Sequence, residues 1–390
     1  MRPNLKEIFS FHANDNSPAA EVSRIIKLHP DSVDAFGSVV IINRILQSIK
    51  ERDEAFEKSG GAYFGLDATP ERTAEAFTRI HINQYRVEAR PSLPALAAHH
   101  LKEFGLTPDN PHYQAAMLVA ARAEIAEGAE PEYHNRNHYE DVTAQTAEFL
   151  KRNNQLAIAG VSGARLLTPE EMADSVTAAL GHDLDHPGGK NALPGEAKAA
   201  DIYRLERKSF AAIEPLLQQA GLAAREIEDI HTMILTTSPD GPHGILKAVA
   251  KAQQEGRTLS WADVDPDNKF PELQVLAADP KLTQRAAMLE DADLGASAFE
   301  GLESNIAMSE NFTGELQSRG YKFLSGAKAG QPEDLRGVFA RAAFGKFVVG
   351  EGPASVAAQH AVGANYRTMR EAAEREIAAI NAKQSPTPAP

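Results

Sequence analysis

The chain contains no cysteine among its 390 residues. This absence excludes disulfides, thiolate metal ligands and a cysteine nucleophile. The chain also lacks a run of about 18 apolar residues, which a membrane-spanning helix requires. The first residues, MRPNLKEIFSFHANDN, lack the apolar core of a secretory signal peptide. We therefore expect a cytoplasmic location by default, and export that needs no cleaved signal is compatible with the same sequence.

An excess of positive charge is absent as well. Lysine and arginine together number 40, against 54 aspartate and glutamate residues, so the formal net charge is −14. A surface of this sign opposes non-specific binding to nucleic-acid phosphates. We therefore expect no binding of nucleic-acid duplexes. The charge balance leaves the oligomeric state open.

Alternation of the kind seen in β-strands is rare, and the clearest hydrophobic patterns have helical period. One helix face is predicted by the spacing of Leu93, Leu96, Ala97, Leu101 and Phe104. The apolar residues between 118 and 125 and between 227 and 235 repeat in the same way. The sequence therefore predicts an all-α fold built from many helices.

Composition divides the chain into three parts. Residues 1–90, in which Gly60 and Gly61 interrupt the helical pattern, are predicted to form a helical N-terminal extension or subdomain. Residues 91–382 contain the motifs described next and are predicted to form one domain. Residues 383–390 are rich in proline, and we predict that they form a disordered tail.

The first motif spans residues 133–142 and reads YHNRNHYEDV. If this segment is helical, His134, His138 and Asp141 lie on one face at positions i, i+4 and i+7. Two imidazoles with this spacing could share one metal ion, or one could bind the metal while the other donates a proton. Taken without the rest of the chain, such a pair is more typical of an ordinary helix surface.

The second motif spans residues 180–191 and reads LGHDLDHPGGKN. An apolar helical stripe that begins at Met172 leads to His182 and Asp183 in a predicted last turn, and Pro187 then ends the helix. Both side chains could bind one metal ion, and a carboxylate can bridge to a second. The alternative is a polar, capped helix end without any ligand.

The third motif spans residues 288–294 and reads MLEDADL, an acidic cluster within an apolar helical segment. Asp293 shares a helix face with Leu289 and Ala296, so it is the better candidate to point inward, and Asp291 points elsewhere. A buried carboxylate needs a cation or hydrogen-bond donors. The alternative is a solvated helix face. A set of nitrogen and oxygen ligands suits Zn²⁺, Mn²⁺, Fe²⁺ or Mg²⁺.

Together the three motifs resemble those of the HD-domain metal-dependent phosphohydrolase superfamily, and most closely the class I cyclic-nucleotide phosphodiesterase catalytic domain. YHNRNHYEDV is similar to Y-H-N-x-x-H-x-x-D-V, GHDLDHPGGKN contains every fixed position of H-D-x-D-H-P-G-x-x-N, and DADL is similar to A-D-L. The resemblance covers about residues 115–300. It implies an all-α, multi-helix HD/phosphodiesterase-like catalytic domain that follows a helical N-terminal extension.

The resemblance also implies a mechanism with two divalent metal ions, Zn²⁺ together with Mg²⁺ or Mn²⁺. A metal-bound hydroxide would attack phosphorus, and His134 would act as the general acid for the leaving alkoxide. The implied metal ligands are His138, His182, Asp183 and Asp293. The implied supporting residues are His186, Asn191, Glu206 and Asp141. The residue implied to bind substrate is Gln359.

The sequence departs from the family pattern at several positions, although the implied metal ligands themselves are kept. The L-E-N-H-H motif reads LERKS from Leu205, so both histidines are missing, and Ser238 replaces the aspartate of a T-D turn. We expect hydrolysis of a phosphodiester, for which a 3',5'-cyclic nucleotide is one candidate. One alternative is hydrolysis of another nucleotide, a phosphomonoester or a protein-linked phosphodiester. The other is a catalytically silent module that binds a nucleotide or a partner.

Overall fold

The computed structural model describes residues 5–12, 14–63, 89–125, 133–196, 199–238, 243–299, 312, 314–320, 352–361, 371 and 375. In these residues the chain forms 13 α-helices and two short 3-10 helices up to residue 299, with further helical residues at 314–318 and 356–361, and without any strand. The predicted all-α fold is therefore confirmed. No helix in this part of the chain is both long enough and apolar enough to cross a bilayer. The predicted disordered tail, residues 383–390, lies outside the described residues.

Within the described residues, the helices before residue 90 are α1 (Pro18–Leu28), α2 (Ser32–Ala35) and α3 (Val39–Lys58). The next four are α4 (Leu93–Glu103), α5 (Pro111–Glu124), α6 (Arg136–Ile158) and α7 (Pro169–Gly181). Those of the second half are α8 (Arg204–Ala220), α9 (Ala224–Thr236), α10 (His243–Gln254), α11 (Trp261–Val264), α12 (Val275–Ala278) and α13 (Pro280–Phe299). The 3-10 helices are Leu5–Glu7 and Pro271–Leu273.

Helix α7 lies at the centre of the fold and contacts α4, α5, α6, α8, α9 and α13. Its start is fixed by a capping box, in which the Thr168 hydroxyl accepts from the Glu171 amide and the Glu171 carboxylate accepts from the Thr168 amide. Pro169 occupies the first turn, where its missing N–H costs no hydrogen bond. Helices α6, α7 and α13 contact one another, so the three sequence motifs meet at one junction.

The N-terminal helices pack directly on the helices that follow. Helices α1 and α3 contact α4 and α5. Ile26, Ile42 and Ile49 are fully buried and belong to the same hydrophobic core as Tyr113 of α5. Residues before position 90 therefore contribute apolar surface to the core that holds the motif helices. The predicted boundary between an N-terminal extension and a catalytic domain stays a prediction.

Two helix ends differ from the sequence prediction. Helix α6 begins only at Arg136, because Asn135 has an extended backbone and its side chain accepts hydrogen bonds from the amides of Asn137 and His138. His134 therefore lies outside the helix, and the predicted placement of both histidines on one helix face is wrong. Helix α7 ends at Gly181, so His182 is its C-cap and Asp183 lies in the following turn.

Candidate functional site

Four side chains from three elements form one buried cluster at the junction of α6, α7 and α13. The cluster consists of His138, His182, Asp183 and Asp293, and one donor atom from each lies within 4.8 Å of all the others. The His138 Nε2 atom lies 3.0 Å from Asp293 Oδ1, 3.3 Å from Asp183 Oδ2 and 3.3 Å from His182 Nε2. The structure therefore brings together the four residues whose motifs predicted metal ligands. We call them the His/Asp cluster.

The backbone around the His/Asp cluster fixes the direction of its side chains. The Nδ1 atom of His182 lies 2.8 Å from the carbonyl oxygen of Ala179, to which it can only donate. This hydrogen bond makes Nε2 the atom with the free lone pair, and Nε2 points into the cluster. The hydroxyl of Tyr139 donates to the carbonyl of Asp183 at 2.8 Å and so ties the turn after α7 to α6.

The electrostatics of the His/Asp cluster favour added positive charge. Burial opposes protonation of His138, but its hydrogen bonds to Asp183 and Asp293 outweigh burial and raise its pKa to about 9. Burial likewise opposes ionisation of Asp183, yet the adjacent imidazoles hold its carboxyl pKa well below the usual range. Both shifts show that positive charge next to the carboxylates stabilises the cluster.

The donors of the cluster fit a divalent metal ion. The distances from its imidazole nitrogens to its carboxylate oxygens run from 3.0 to 3.5 Å. Neighbouring donors bound to a metal at about 2.0–2.1 Å stand roughly 2.8–3.0 Å apart in octahedral geometry and roughly 3.3–3.4 Å apart in tetrahedral geometry. Two imidazole nitrogens and two carboxylate oxygens suit Zn²⁺, Mn²⁺ or Fe²⁺. The donor set and its spacing therefore suit the metal chemistry that the motifs imply.

His134 lies beside the cluster but outside it. Its ring stacks on His186 with centroids 3.9 Å apart, and its centroid is 6.2 Å from that of His138. Its Nδ1 atom lies 2.6 Å from a carboxylate oxygen of Glu315. This contact makes Nδ1 the N–H donor and leaves Nε2 as the other functional atom of the ring.

Glu315 is a site residue that the sequence motifs did not predict. Its carboxylate accepts from the backbone amides of Tyr133 and His134 at 3.0 and 3.1 Å, and from that of Gly189 at 3.0 Å. Burial disfavours its charge, but the hydrogen bonds from His134 and these amides outweigh burial and lower its carboxyl pKa to about 2. Glu315 lies in the helical segment 314–318, where no local motif marks it, and it is 181 residues from His134.

The loop of the second motif packs against the carboxylate of Glu315. Gly188 has a φ of +77°, which other residues rarely adopt, and a Cβ atom there would lie 2.7 Å from Glu315 Oε1. The amide of Gly188 donates to Nδ1 of His186 at 3.0 Å. Burial and the adjacent His134 lower the pKa of His186 to about 3. His186, predicted as a supporting residue, thus packs between His134 and its own loop.

Asn191 and Glu206, two further predicted supporting residues, lie together. The amide nitrogen of Asn191 donates to Glu206 Oε2 at 3.0 Å and to the carbonyl of Ile202 at 2.7 Å, and its amide oxygen accepts from the Leu205 amide at 2.8 Å. The hydroxyl of Ser238 lies 3.1 Å from the same Asn191 nitrogen. These contacts fasten the loop after α7 to the start of α8, and the roles of both residues in catalysis stay predictions.

Asp141 and Gln359 make other contacts. An oxygen of Asp141 lies 3.2 Å from Nη1 of Arg90, on the side of α6 where that arginine also reaches Glu140. Gln359 is exposed, and its amide donates to the carbonyl of Pro353 within its own segment. That segment is held by Asp291, whose carboxylate accepts from the amides of residues 354 and 355. The roles predicted for Asp141 and Gln359 stay predictions.

The fold and the site define an all-α protein with a histidine–aspartate cluster that suits divalent metals, and three of the four cluster residues lie in the segment that is similar to known proteins. The family model described as 3'5'-cyclic nucleotide phosphodiesterase matches residues 133–239. This match confirms the resemblance that the motifs indicate. Over these residues the chain is similar to that family, and phosphodiester hydrolysis is the activity that the match supports.

Two solved structures to which the chain is similar give the following comparisons. One is the phosphodiesterase domain of the RhoPDE fusion protein from the choanoflagellate Salpingoeca rosetta, with 19% identity, a TM-score of 0.49, and coverage of 84% of this chain and 97% of that one. The other is LmjPDEB1 in complex with IBMX, with 14% identity, a TM-score of 0.47, and coverage of 84% and 98%. No curated protein matches the chain in sequence. Similarity at this level assigns neither a substrate nor the role of a residue.

Proposed function

We propose that the chain is a metal-dependent phosphodiesterase whose substrate is a small-molecule phosphodiester, with a 3',5'-cyclic nucleotide as the first candidate. The observation that carries the proposal is the His/Asp cluster: His138, His182, Asp183 and Asp293 converge from three elements with donor spacings of 3.0 to 3.5 Å. The match of a phosphodiesterase family model to residues 133–239 supports it. The proposed location is the cytoplasm.

The proposed cofactors are two divalent ions, Zn²⁺ and either Mg²⁺ or Mn²⁺. When bound, such ions lower the pKa of water and offset the negative charge on phosphate oxygens. The four residues of the His/Asp cluster would hold the first ion. Asp183 has a partly exposed carboxylate, with 13% of the side chain accessible, and is the residue that could bridge to a second ion.

His134 is the proposed proton donor to the leaving alkoxide. Glu315 accepts from Nδ1 of His134 and from its backbone amide, so both the ring and its main chain have fixed positions. The ring can then present only Nε2 to a substrate. A sugar alkoxide is a poor leaving group, and protonation of its oxygen by a positioned side chain typically contributes about 10²–10⁴-fold in rate.

The test compares two neighbouring aspartates of one turn. Asp183→Asn removes a predicted metal ligand. Asp185→Asn removes a carboxylate that pairs with Arg122 instead, at a left-handed position that asparagine accepts well. The full chain is stripped with chelator, reloaded with Zn²⁺, Mg²⁺ or Mn²⁺, and assayed on cyclic nucleotides, nucleoside monophosphates and bis(4-nitrophenyl) phosphate.

We expect metal-dependent cleavage of a diester by the wild-type chain and by Asp185→Asn. Asp183→Asn should lose both its metal and its activity while it keeps its helical content. Cleavage of monophosphates alone would replace the diester proposal with a phosphomonoesterase. Full activity of Asp183→Asn without metal would overturn the proposed function.

A further inference from the structure

A second buried charged cluster lies behind the first turns of α6, and the proposed chemistry does not use it. Its carboxylates come from α5 and α6, and two of its three arginines precede residue 91 in the chain. We call it the arginine cluster; its members are Arg52, Arg90, Arg136, Glu124, Glu140 and Asp141.

Arg90 contacts residues that lie close in sequence to His138, a member of the His/Asp cluster. One guanidinium nitrogen, Nη1, lies 3.0 Å from Glu140 Oε2 and 3.2 Å from Asp141 Oδ1. The same nitrogen lies 3.5 Å from the carbonyl oxygen of Asn137. All three partners are within three residues of His138. The Arg90 side chain is only 12% exposed, so these contacts form away from bulk water, where they are less screened.

Arg52 and Arg136 complete the cluster around Glu124, whose side chain is fully buried. Arg52 Nε lies 2.9 Å from Glu124 Oε1, and the other carboxylate oxygen accepts from the Leu93 amide at 2.8 Å. Arg136 lies 2.9 Å from Glu140 and 3.4 Å from Glu124. Helix α3, the start of α4, the end of α5 and the start of α6 are thereby joined by one set of ionic contacts.

The backbone that carries Arg90 is itself held on α3. Asp53, the neighbour of Arg52, accepts from the amide of Ser92 at 2.9 Å and from its hydroxyl at 3.1 Å. Arg136 also lies 3.4 Å from the carbonyl of Pro91. Arg90 is therefore not a loose surface side chain, because the residues that follow it are fixed to the N-terminal helices.

We propose that Arg90 is a positioning residue of the metal site, which fixes the first turn of α6 and so sets the place of His138. This inference rests on the proposed function. It makes Arg90, which precedes the first motif helix by about 45 residues, a required part of the site, because its guanidinium contacts Glu140 and Asp141 in the first turns of α6. A buried carboxylate that loses one of its charged donors is expected to shift, and the turn that carries His138 would shift with it.

The experiment uses the full chain and three variants. Arg90→Ala removes the guanidinium, Arg90→Lys keeps a charge without the planar fork, and Arg44→Ala is the control, because Arg44 is an exposed arginine of α3. The measurements are metal content by mass spectrometry, the metal Kd by competition with a chelator, kcat, KM and Tm.

We expect Arg90→Ala to weaken metal binding by roughly 10–100-fold, the usual effect of losing a residue that supports a ligand, and to lower kcat with KM unchanged. Arg90→Lys should recover part of the loss, and Arg44→Ala should match the wild-type chain. If Arg90→Ala does not fold, the double variant Arg90→Met, Glu140→Gln removes both charges together. It should fold and still bind metal more weakly.

Each outcome decides one of the two proposals. A wild-type chain that binds no metal and cleaves no ester would overturn the proposed function and, with it, this inference. A wild-type chain that binds metal and a folded Arg90→Ala variant with the same metal Kd and kcat would overturn this inference alone. A lower Tm with unchanged metal Kd and kcat would limit Arg90 to stability and would also overturn it.

Discussion

The His/Asp cluster and the arginine cluster both bury carboxylates, on two sides of the same few residues of α6. The carboxyl pKa values of the two clusters shift in opposite directions. Burial opposes ionisation in both. In the arginine cluster, burial raises the pKa of Glu124 to about 8 although Arg52 acts in the opposite direction. In the His/Asp cluster, the imidazoles outweigh burial and hold the pKa of Asp183 well below its usual range.

The difference lies in the kind of cation that faces each carboxylate. A guanidinium keeps its proton at any pH that a folded protein meets, so the positive charge of the arginine cluster cannot be exchanged. An imidazole can release its proton, and a metal ion can take the place of that proton. Buried acids that face arginine therefore belong to the architecture, and buried acids that face imidazole nitrogens can serve an exchangeable ion.

The largest effect should come from His138, the α6 residue that belongs to the His/Asp cluster. We expect His138→Ala to abolish hydrolysis and to lower metal content, because one of four donors is lost while the helix keeps its length. Metal content, activity and circular dichroism are the measurements. The control is His12→Ala, which removes an exposed histidine. Retained metal and activity in His138→Ala would contradict the assignment of the cluster.

The next largest effect should come from His134, which lies beside the cluster without joining it. We expect His134→Gln to lower kcat by about 10²–10⁴-fold on esters with alkoxide leaving groups, with metal content unchanged. The loss should be much smaller on bis(4-nitrophenyl) phosphate, since 4-nitrophenolate leaves without a proton. An equal loss on both substrates would rule out proton donation as the role of His134.

A smaller effect should follow the removal of metal from the wild-type chain. An ion that binds only the folded state stabilises it by about 4 kcal/mol at a concentration 1,000 times its Kd. For a chain of this size, chelation should therefore lower Tm by roughly 5 °C. The Tm of Asp183→Asn should not respond to chelator. An equal response from both proteins would show that the chelator acts elsewhere.

The smallest effect should be a change in how stability depends on pH. The Glu124 carboxyl has a pKa of about 8 in the folded chain and near 4.5 without burial, so the folded state binds more protons between these values. The free energy of unfolding should therefore fall as pH rises from about 4.5 to 8. Glu124→Gln should remove this contribution and flatten the dependence, as measured by urea unfolding.

The control for that measurement is Glu54→Gln, which changes an exposed glutamate of α3. It should leave the slope of the wild-type chain unchanged. If the free energy of unfolding of Glu124→Gln depends on pH as steeply as that of the wild-type chain, Glu124 is ionised throughout this pH range. The contrast between the two clusters would then be smaller than their burial implies.

Local patterns in the sequence predicted the fold class and the members of the His/Asp cluster. The helical period of segments such as Leu93–Glu103 arises from one buried face, so it is visible in a short window. The four donors lie within three short motifs. The placement of His134 on a helix was wrong because Asn135, an efficient N-cap, starts the helix after it.

Long-range partners were not predictable in this way. Glu315 and Arg90 lie in segments without a recognisable motif, 181 and about 50 residues from the groups they contact. Only the packing of helices decides which arginine meets which carboxylate. A single glutamate in a helical pattern is usually exposed to solvent, so composition and spacing alone favour a surface position for a residue such as Glu315.

His134 and His138 are four residues apart, but different parts of the molecule hold them. His138 is fixed by α6, whereas His134 depends on the carboxylate of Glu315, 181 residues later in the chain. A change in the segment around Glu315 can therefore alter proton donation by His134 without changing metal binding by the His/Asp cluster. The two halves of the proposed chemistry are free to diverge separately, so a descendant of this chain could lose its turnover and still retain its metal.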